Sequence, residues 1–561
     1  MTETSNESAL RPPPVEDPSL IGLIATTDHK RIGRMFITFA VLFGVAGIVL
    51  ETLLRVDLTD ADAYVIFDAD TYTQSFLLAR DALLFLFLIP LFLGLAIYVV
   101  PLQVGASNIV FPRAALASFW TWLISSGILV GAYLANGGPF GGDADGVDLH
   151  LLALGFSVAA LLVAASIVVT TALTVRAPGL YLDEAPAFTW ASIVSGIGLL
   201  LTLPVLLGNL VFVYIDHRYG RVFLGGNHGI WDHVEFAYRA PVLFLYTVPA
   251  LGVAAEVLQS ASKRKAMVPM VITGGLGAVA VFGLGAWAQL NLAEGADVTD
   301  GWPGIVYLGM FLGALLGVLM VAAMSLGTLG SSKSLPSLSA PVLAGVATLV
   351  LVLLGAVQGA AGAFLDWAES LDWWSTDPVP ALRDTTWTSA QFQILVMGVG
   401  VIGMVGALSW WAPKIWGRSL NGLVGRLCVA LAFIGTLLAA AGTSIAAIVS
   451  GQAELQRVDG AIDPQLGGVY GFLPDASEGL NTLALIGTGA IALAAVLFLL
   501  DLVASIVAGK GSEADSDPWN AQSAEWLLAS PPAAGPSELP DLESGTPALD
   551  AREADLEEAA V

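Results

Sequence analysis

The stretch LLARDALLFLFLIPLFLGLAIYVVP, Leu77–Pro101, decides what kind of protein this chain is. Its 25 residues carry two charges, Arg80 and Asp81, close to its start. As a helix it extends roughly 37 Å, at about 1.5 Å per residue, against a bilayer core of about 30 Å. Eleven further runs of similar character flank it, at 35–54, 113–135, 150–175, 187–215, 239–260, 267–292, 303–329, 338–362, 388–413, 425–450 and 481–507. The spacing predicts an all-α integral membrane protein with twelve transmembrane helices, because a helix satisfies every backbone polar group without water.

Composition agrees. The chain has 561 residues, is 56% hydrophobic and 12% charged, and has a mean hydropathy of +0.78. That excludes a soluble domain. The predicted organisation is an N-terminal cytoplasmic segment (1–34), a twelve-span membrane domain (35–507) and an acidic, disordered cytoplasmic tail (508–561). After Lys510 the tail has twelve acids and one Arg, too polar to bury a core of its own. The first ~20 residues are polar and predict no cleaved signal peptide.

Basic residues set the expected orientation. Seven of the 22 Lys and Arg (Arg55, Arg80, Arg218, Arg221, Arg239, Arg383 and Arg457) fall on one side, and the other 15 on the side of both termini. Cationic loops stay in the cytoplasm, so both termini are placed inside a plasma membrane. The net charge is −25, with 47 acids, and only six of the bases are Lys. An acidic, Lys-poor surface suits high salt and reads as that of a halophilic archaeon. Cys428 is alone, so no disulfide or cysteine-cluster metal site is expected. No phosphate-binding loop or nucleic-acid signature occurs; membrane lipid is the expected surrounding.

Five ordered stretches carry a resemblance. They are Thr-Thr-Asp-His-Lys-Arg-Ile-Gly (Thr26–Gly33); Val-Pro-Leu-Gln-Val-Gly-Ala (Val100–Ala106) with Phe111-Pro-Arg113 and Ser118-Phe-Trp120; Arg-Ala-Pro-Gly-Leu (Arg176–Leu180); Trp231-Asp-His233 followed by Val-Pro-Ala-Leu-Gly-Val-Ala-Ala-Glu-Val (Val248–Val257); and Asp384-Thr-Thr386 with Trp-Trp-Ala-Pro-Lys (Trp410–Lys414). Together they resemble subunit I of the haem-copper oxidases. The resemblance implies a twelve-helix bundle of that type, arranged as three pore-like arcs. It also implies two haems, one copper, and partners such as a cupredoxin-like subunit II.

The residues at the implied ligand positions are the wrong ones. Histidine occurs only at 29, 150, 217, 228 and 233. Where the family has His-Phe-His on the tenth span, this chain reads Gln391-Phe392-Gln393. The family's copper His, proton-passing Glu and cross-linked Tyr on the sixth span correspond to Ala240, Val242 and Phe244. Its His pair on the seventh span corresponds to Gln289-Leu290. The remaining low-spin haem ligand falls on Leu78, Ala79 or Arg80. The proton-route Lys and Asp correspond to Val321 and Asn108. Amides and alkyl groups are poor substitutes for imidazole at iron or copper. The expectation is therefore no haem and no copper held by the family's ligands, and no catalytic residue among these positions.

Polar residues at membrane depth are functional candidates by default. Arg80, Asp81, His233, Glu235, Arg239, Gln289, Asn291, Gln391 and Gln393 are expected to form a salt-bridge and amide network in the vacated core, with Glu235 and Arg239 at i,i+4 on one helix face. His150 reads as a satisfied helix-end residue. Three functions remain: a non-catalytic respiratory subunit built on the oxidase scaffold; an active terminal oxidase or nitric-oxide reductase; and a repurposed small-anion or quinone site.

Overall fold

The computed structural model describes residues 22, 24–59, 65–227, 229–285, 301–332, 336–370, 382, 385–450, 474–537, 542 and 544–560. Eleven of its helices are long and apolar enough to span a membrane. They are α1 (His29–Asp57), α2 (Asp70–Gln103), α3 (Pro112–Leu134), α4 (Ala144–Thr174), α5 (Ala187–Arg218), α6 (Ile230–Ser262), α8 (Pro303–Gly330), α9 (Ala340–Ala368), α10 (Trp387–Trp416), α11 (Gly422–Val449) and α12 (Ser477–Val507). Between α6 and α8 lies a shorter apolar helix, α7 (Pro269–Phe282). It occupies the place of the seventh predicted span, whose last residues, 286–292, lie outside the described residues. The protein is an all-α, multi-pass membrane bundle, and no strand occurs among the described residues.

Helix starts follow local chemistry. The carboxylates of Asp28 and Asp143 accept from the free N–H groups that open α1 and α4. Pro112 and Pro269 open α3 and α7, where a missing N–H costs nothing. Neighbouring spans approach closely through small residues. On α11 and α12, a side chain at Gly487 would collide with the backbone of Ala439.

Burial sorts the helices. α2, α6 and α10 are buried along their whole apolar length, while the other spans expose one side. These three enclosed helices also carry most of the positions singled out in the sequence. Two of them are locally underwound: α2 contains a π segment at Ala82–Leu88 and α10 one at Gln393–Gly398, and the two segments pack together. Single π turns inside α-helices are rare and cluster at functional sites.

Two expectations are corrected. The tail is not a separate, disordered segment over its described length: residues 508–537 and α13 (Pro547–Ala560) fold back over one end of the bundle. The physical reason is shared burial. Trp519 stacks on Trp410, Lys414 donates to the Leu528 carbonyl (2.6 Å), and Lys30 donates to that of Gly535 (2.6 Å). Trp410 and Trp411 consequently lie buried beneath the tail. Arg55, counted among the bases of one membrane face, is 4% exposed inside α1.

Candidate functional site

The site is built on the enclosed helices and begins with Gln393, the last residue of the tenth-span triplet. It is fully buried where the α10 π segment starts. Its amide orientation is fixed by its neighbours, since Arg55 can only donate and the Ala439 carbonyl can only accept. With the oxygen toward α1, it accepts from Arg55 (2.6 Å) and its nitrogen donates to Ala439 (3.2 Å) and to the Thr443 hydroxyl (3.1 Å). Arg55 also bonds Glu51 one turn earlier on α1 (3.3 Å), and both are buried. A cation–carboxylate pair, an amide and a hydroxyl thus fill this region from α1, α10 and α11.

Gln391 is held differently. It donates a long bond to the Gly355 carbonyl (3.4 Å) on α9. A side chain at Gly359 would collide with the Gln391 amide and with the Phe311 ring. Phe311 of α8 in turn meets Phe244 edge-on at 5.9 Å. Positions 244 and 391 therefore converge on one volume, and Phe311 fills it. Ala240 and Val242 precede Phe244 on α6, both buried, with Ala240 followed by a cis bond to Pro241.

The remaining candidates separate into distinct groups. Arg80, 2% exposed, donates to Ser389 (2.8 Å) and lies over the rings of Phe392 (4.1 Å) and Phe76 (4.7 Å). Asp81 turns the other way: it accepts from Tyr133 (2.6 Å) and Tyr238 and lies 3.6 Å from His150 Nε2. Glu235 and Arg239 form a two-point ion pair (3.2 and 3.3 Å), both half-buried. They do so from a 3-10 turn and an extended residue, because the helix proper restarts at Val242 after Pro241. His233 contributes only its backbone carbonyl, to Asn209 (2.8 Å); its Nε2 is buried with no hydrogen-bond partner. His150 is not satisfied: neither ring nitrogen makes a hydrogen bond. Gln289, Leu290 and Asn291 lie outside the described residues. Val321 is buried on α8, and Asn108 bonds His29 (3.1 Å) and the Thr27 carbonyl (3.1 Å) at the tail end.

A second buried polar centre lies beneath the tail. Glu525 is fully buried and accepts from Gln103 (3.1 Å) and Trp411 (3.1 Å); Gln103 also donates to Glu256 of α6 (2.7 Å). Burial pushes the Glu525 carboxyl above its ordinary range.

Sequence reading missed Glu51, Thr443, Phe311, Tyr133 and Tyr238. An acid and a base at i,i+4 near the end of an apolar run was the available signal for Glu51 and Arg55. The others carry no local signature. Among the described residues no three His, Cys, Asp or Glu side chains converge as a metal-ligand set. No histidine follows His233 in the sequence, so α7 to α12 supply no imidazole.

Comparison with known proteins places this geometry. The model of the family "Cytochrome C and Quinol oxidase polypeptide I" matches residues 31–489. A "Probable cytochrome c oxidase subunit 1-alpha" of Streptomyces coelicolor is 26% identical, over 95% of this chain and 89% of its own length. A "Heme-copper oxidase subunit I+III" of Aeropyrum pernix is 27% identical over 91% of this chain and 60% of its own. The "Cytochrome c oxidase subunit 1" of Bacillus subtilis is 25% identical over 91% and 79%. That family implies haem and copper cofactors and other oxidase subunits as partners. On this match, the chain belongs to the cytochrome c and quinol oxidase polypeptide I family, as a haem-copper oxidase subunit I-like membrane protein.

Proposed function

We propose that this chain is a non-catalytic member of its family, a structural or partner subunit of a respiratory membrane complex. One observation carries the reading: Gln391 and Gln393 are packed into protein rather than facing space for a macrocycle. Gln393 is bound to Arg55, a permanent cation that would repel a metal placed there. Gln391 abuts Gly359 and Phe311. An amide oxygen is a weak iron ligand beside imidazole, so the residues present do not fit the family's haems, and no electron or proton step is routed through them. The dense packing around Gln391 also speaks against an anion or quinone in that volume.

The reading extends to setting. The protein lies in the plasma membrane of a halophilic archaeon with both termini and the tail-covered end in the cytoplasm, beside a cupredoxin-like subunit II. The test is an oxidised and dithionite-reduced visible spectrum of the purified full chain, with haem extracted and copper quantified per polypeptide. No Soret band, no extractable haem and no stoichiometric copper is the expected result. One or two haems per chain would sink the proposal and favour an active terminal oxidase or nitric-oxide reductase. Affinity purification from mild detergent is expected to bring down oxidase-type subunits.

A further inference from the structure

Four side chains from four spans meet at Asp81: the carboxylate on α2, Tyr133 at the end of α3, His150 near the start of α4, and Tyr238 on α6. All are 5% exposed or less. We propose that they form a binding site for a small trivalent cation, ferric iron being the class they fit.

His150 is the first reason. It is 1% exposed, neither of its ring nitrogens makes a hydrogen bond, and its Nε2 points at Asp81 from 3.6 Å. A buried polar group left unpaired costs about 1–3 kcal/mol. A ligand accepting the Nε2 lone pair removes that cost.

Spacing is the second. The Tyr133 oxygen is 2.6 Å from one carboxylate oxygen, and Tyr238 bonds the other. Ligands held about 2.0–2.1 Å from a small cation in an octahedron lie about 2.9 Å from one another. Tyr133 already stands near that separation from Asp81, and His150 Nε2, at 3.6 Å, lies less than 1 Å outside it.

The third reason is charge and hardness. A carboxylate, two phenolates and one neutral imidazole are a hard set with total charge −3. A 3+ ion makes the complex neutral, the one net charge that a buried site carries without a large desolvation cost. Zinc or copper would leave net negative charge, and neither prefers phenolate oxygen to imidazole or thiolate. Arg80, the nearest base in sequence, is directed away to Ser389 and Phe392. Glu235 and Arg239 neutralise each other.

Binding is an exchange of protons, with no electron transferred. Fe3+ adds to the Asp81 carboxylate, the His150 imidazole and two phenols, and two phenolic protons leave. In the metal-free protein those protons are the ones donated to Asp81. The rings are held in place around this exchange: Trp231 stacks on Tyr238 at 5.2 Å, Phe85 meets it edge-on at 5.7 Å, and Gly138 sits where a side chain would collide with the Tyr133 ring.

The test uses the full chain in detergent, stripped with dithionite and chelator and then offered iron(III) nitrilotriacetate. The expected result is one iron per chain retained after desalting, a visible phenolate-to-iron charge-transfer band, and two protons released per iron. Tyr133→Phe and Tyr238→Phe keep the ring packing and are each expected to weaken retention by about 100-fold or more, since outer partners alone are commonly worth about 10- to 100-fold. His150→Ala is expected to weaken it while leaving the band at saturation. Iron retained without the band would place it on the acidic surface, and a band unchanged in the Tyr133→Phe/Tyr238→Phe double variant would place it on other tyrosines; either result would overturn the proposal. No retention by the wild-type chain would overturn it equally. Circular dichroism of each variant separates loss of the site from loss of the fold.

Discussion

Gln391 and Gln393 stand two residues apart on one enclosed helix and are buried in opposite ways. Gln393 is held by charge: a guanidinium reaches it from α1, and that guanidinium is itself paired with Glu51. Gln391 is held by shape, pressed between a glycine face and a phenyl ring with a single long hydrogen bond. The lesson is that volume inside a membrane bundle can be closed by either route, with different sensitivities. A charge-held site tolerates no loss of one partner. A shape-held site tolerates chemical change but not added volume.

The sharpest way to break this contrast is Arg55→Ala. It leaves Glu51 and Gln393 buried without their donor, and losing one partner of a buried pair costs about 3–5 kcal/mol. The drop is read by thermal unfolding in detergent. Gly359→Ala is expected next, at about 1–3 kcal/mol from overpacking against Gln391 and Phe311. Adding Gln391→Ala to that variant is expected to recover part of the loss, because the clashing amide is gone. Gln391→Leu alone is expected to cost less than about 1.5 kcal/mol, since shape is kept and only a weak bond is lost. If Gln391→Leu proved as costly as Arg55→Ala, the distinction between the two residues would collapse.

The smallest expected effect extends the comparison to acids. Glu51 has a cation beside it, whereas Glu525 accepts from the neutral donors Gln103 and Trp411. Burial raises the Glu525 pKa above its ordinary 4.5. A raised carboxyl is more readily protonated docked than free, so its share of tail docking is complete below about pH 4.5. That share is lost as pH rises through the docked value. Limited proteolysis of the tail is expected to speed up along that rise, and Glu525→Gln is expected to flatten the dependence. A pH-independent rate in the wild-type chain would count against the assignment.

Much of the fold could be read directly. Apolar runs such as Leu77–Pro101 have one solution in a bilayer, and the structure gives helices at eleven of the twelve places in full length. Residue counting was weakest across the π segments. An extra residue per turn rotates everything beyond it. Leu78, Ala79 and Arg80 could not be separated from sequence because the loop there is one residue shorter than the family spacing, while the structure directs Arg80 to Ser389. Tyr133 and Tyr238 lie near helix ends, where tyrosine ordinarily marks the interface, so their convergence on Asp81 had no signature. The tail misled by composition. Its acids exclude a core of its own, but Trp519, Trp526 and Leu542 bury themselves against a surface that the rest of the chain supplies.

That docking ties the beginning of the membrane domain to its end. Lys30 donates to the Gly535 carbonyl across 505 residues of sequence, and Asp28 accepts from the Gly535 N–H. At about 5–20 residues per second, synthesis separates those partners by roughly 25–100 s. Through that interval the mouth of the first helix is complete in sequence but open in space, and Lys30, later 1% exposed, still stands in water. Closure of the first helix is therefore a late event in biogenesis, available to a chaperone or a neighbouring subunit until the last segment arrives.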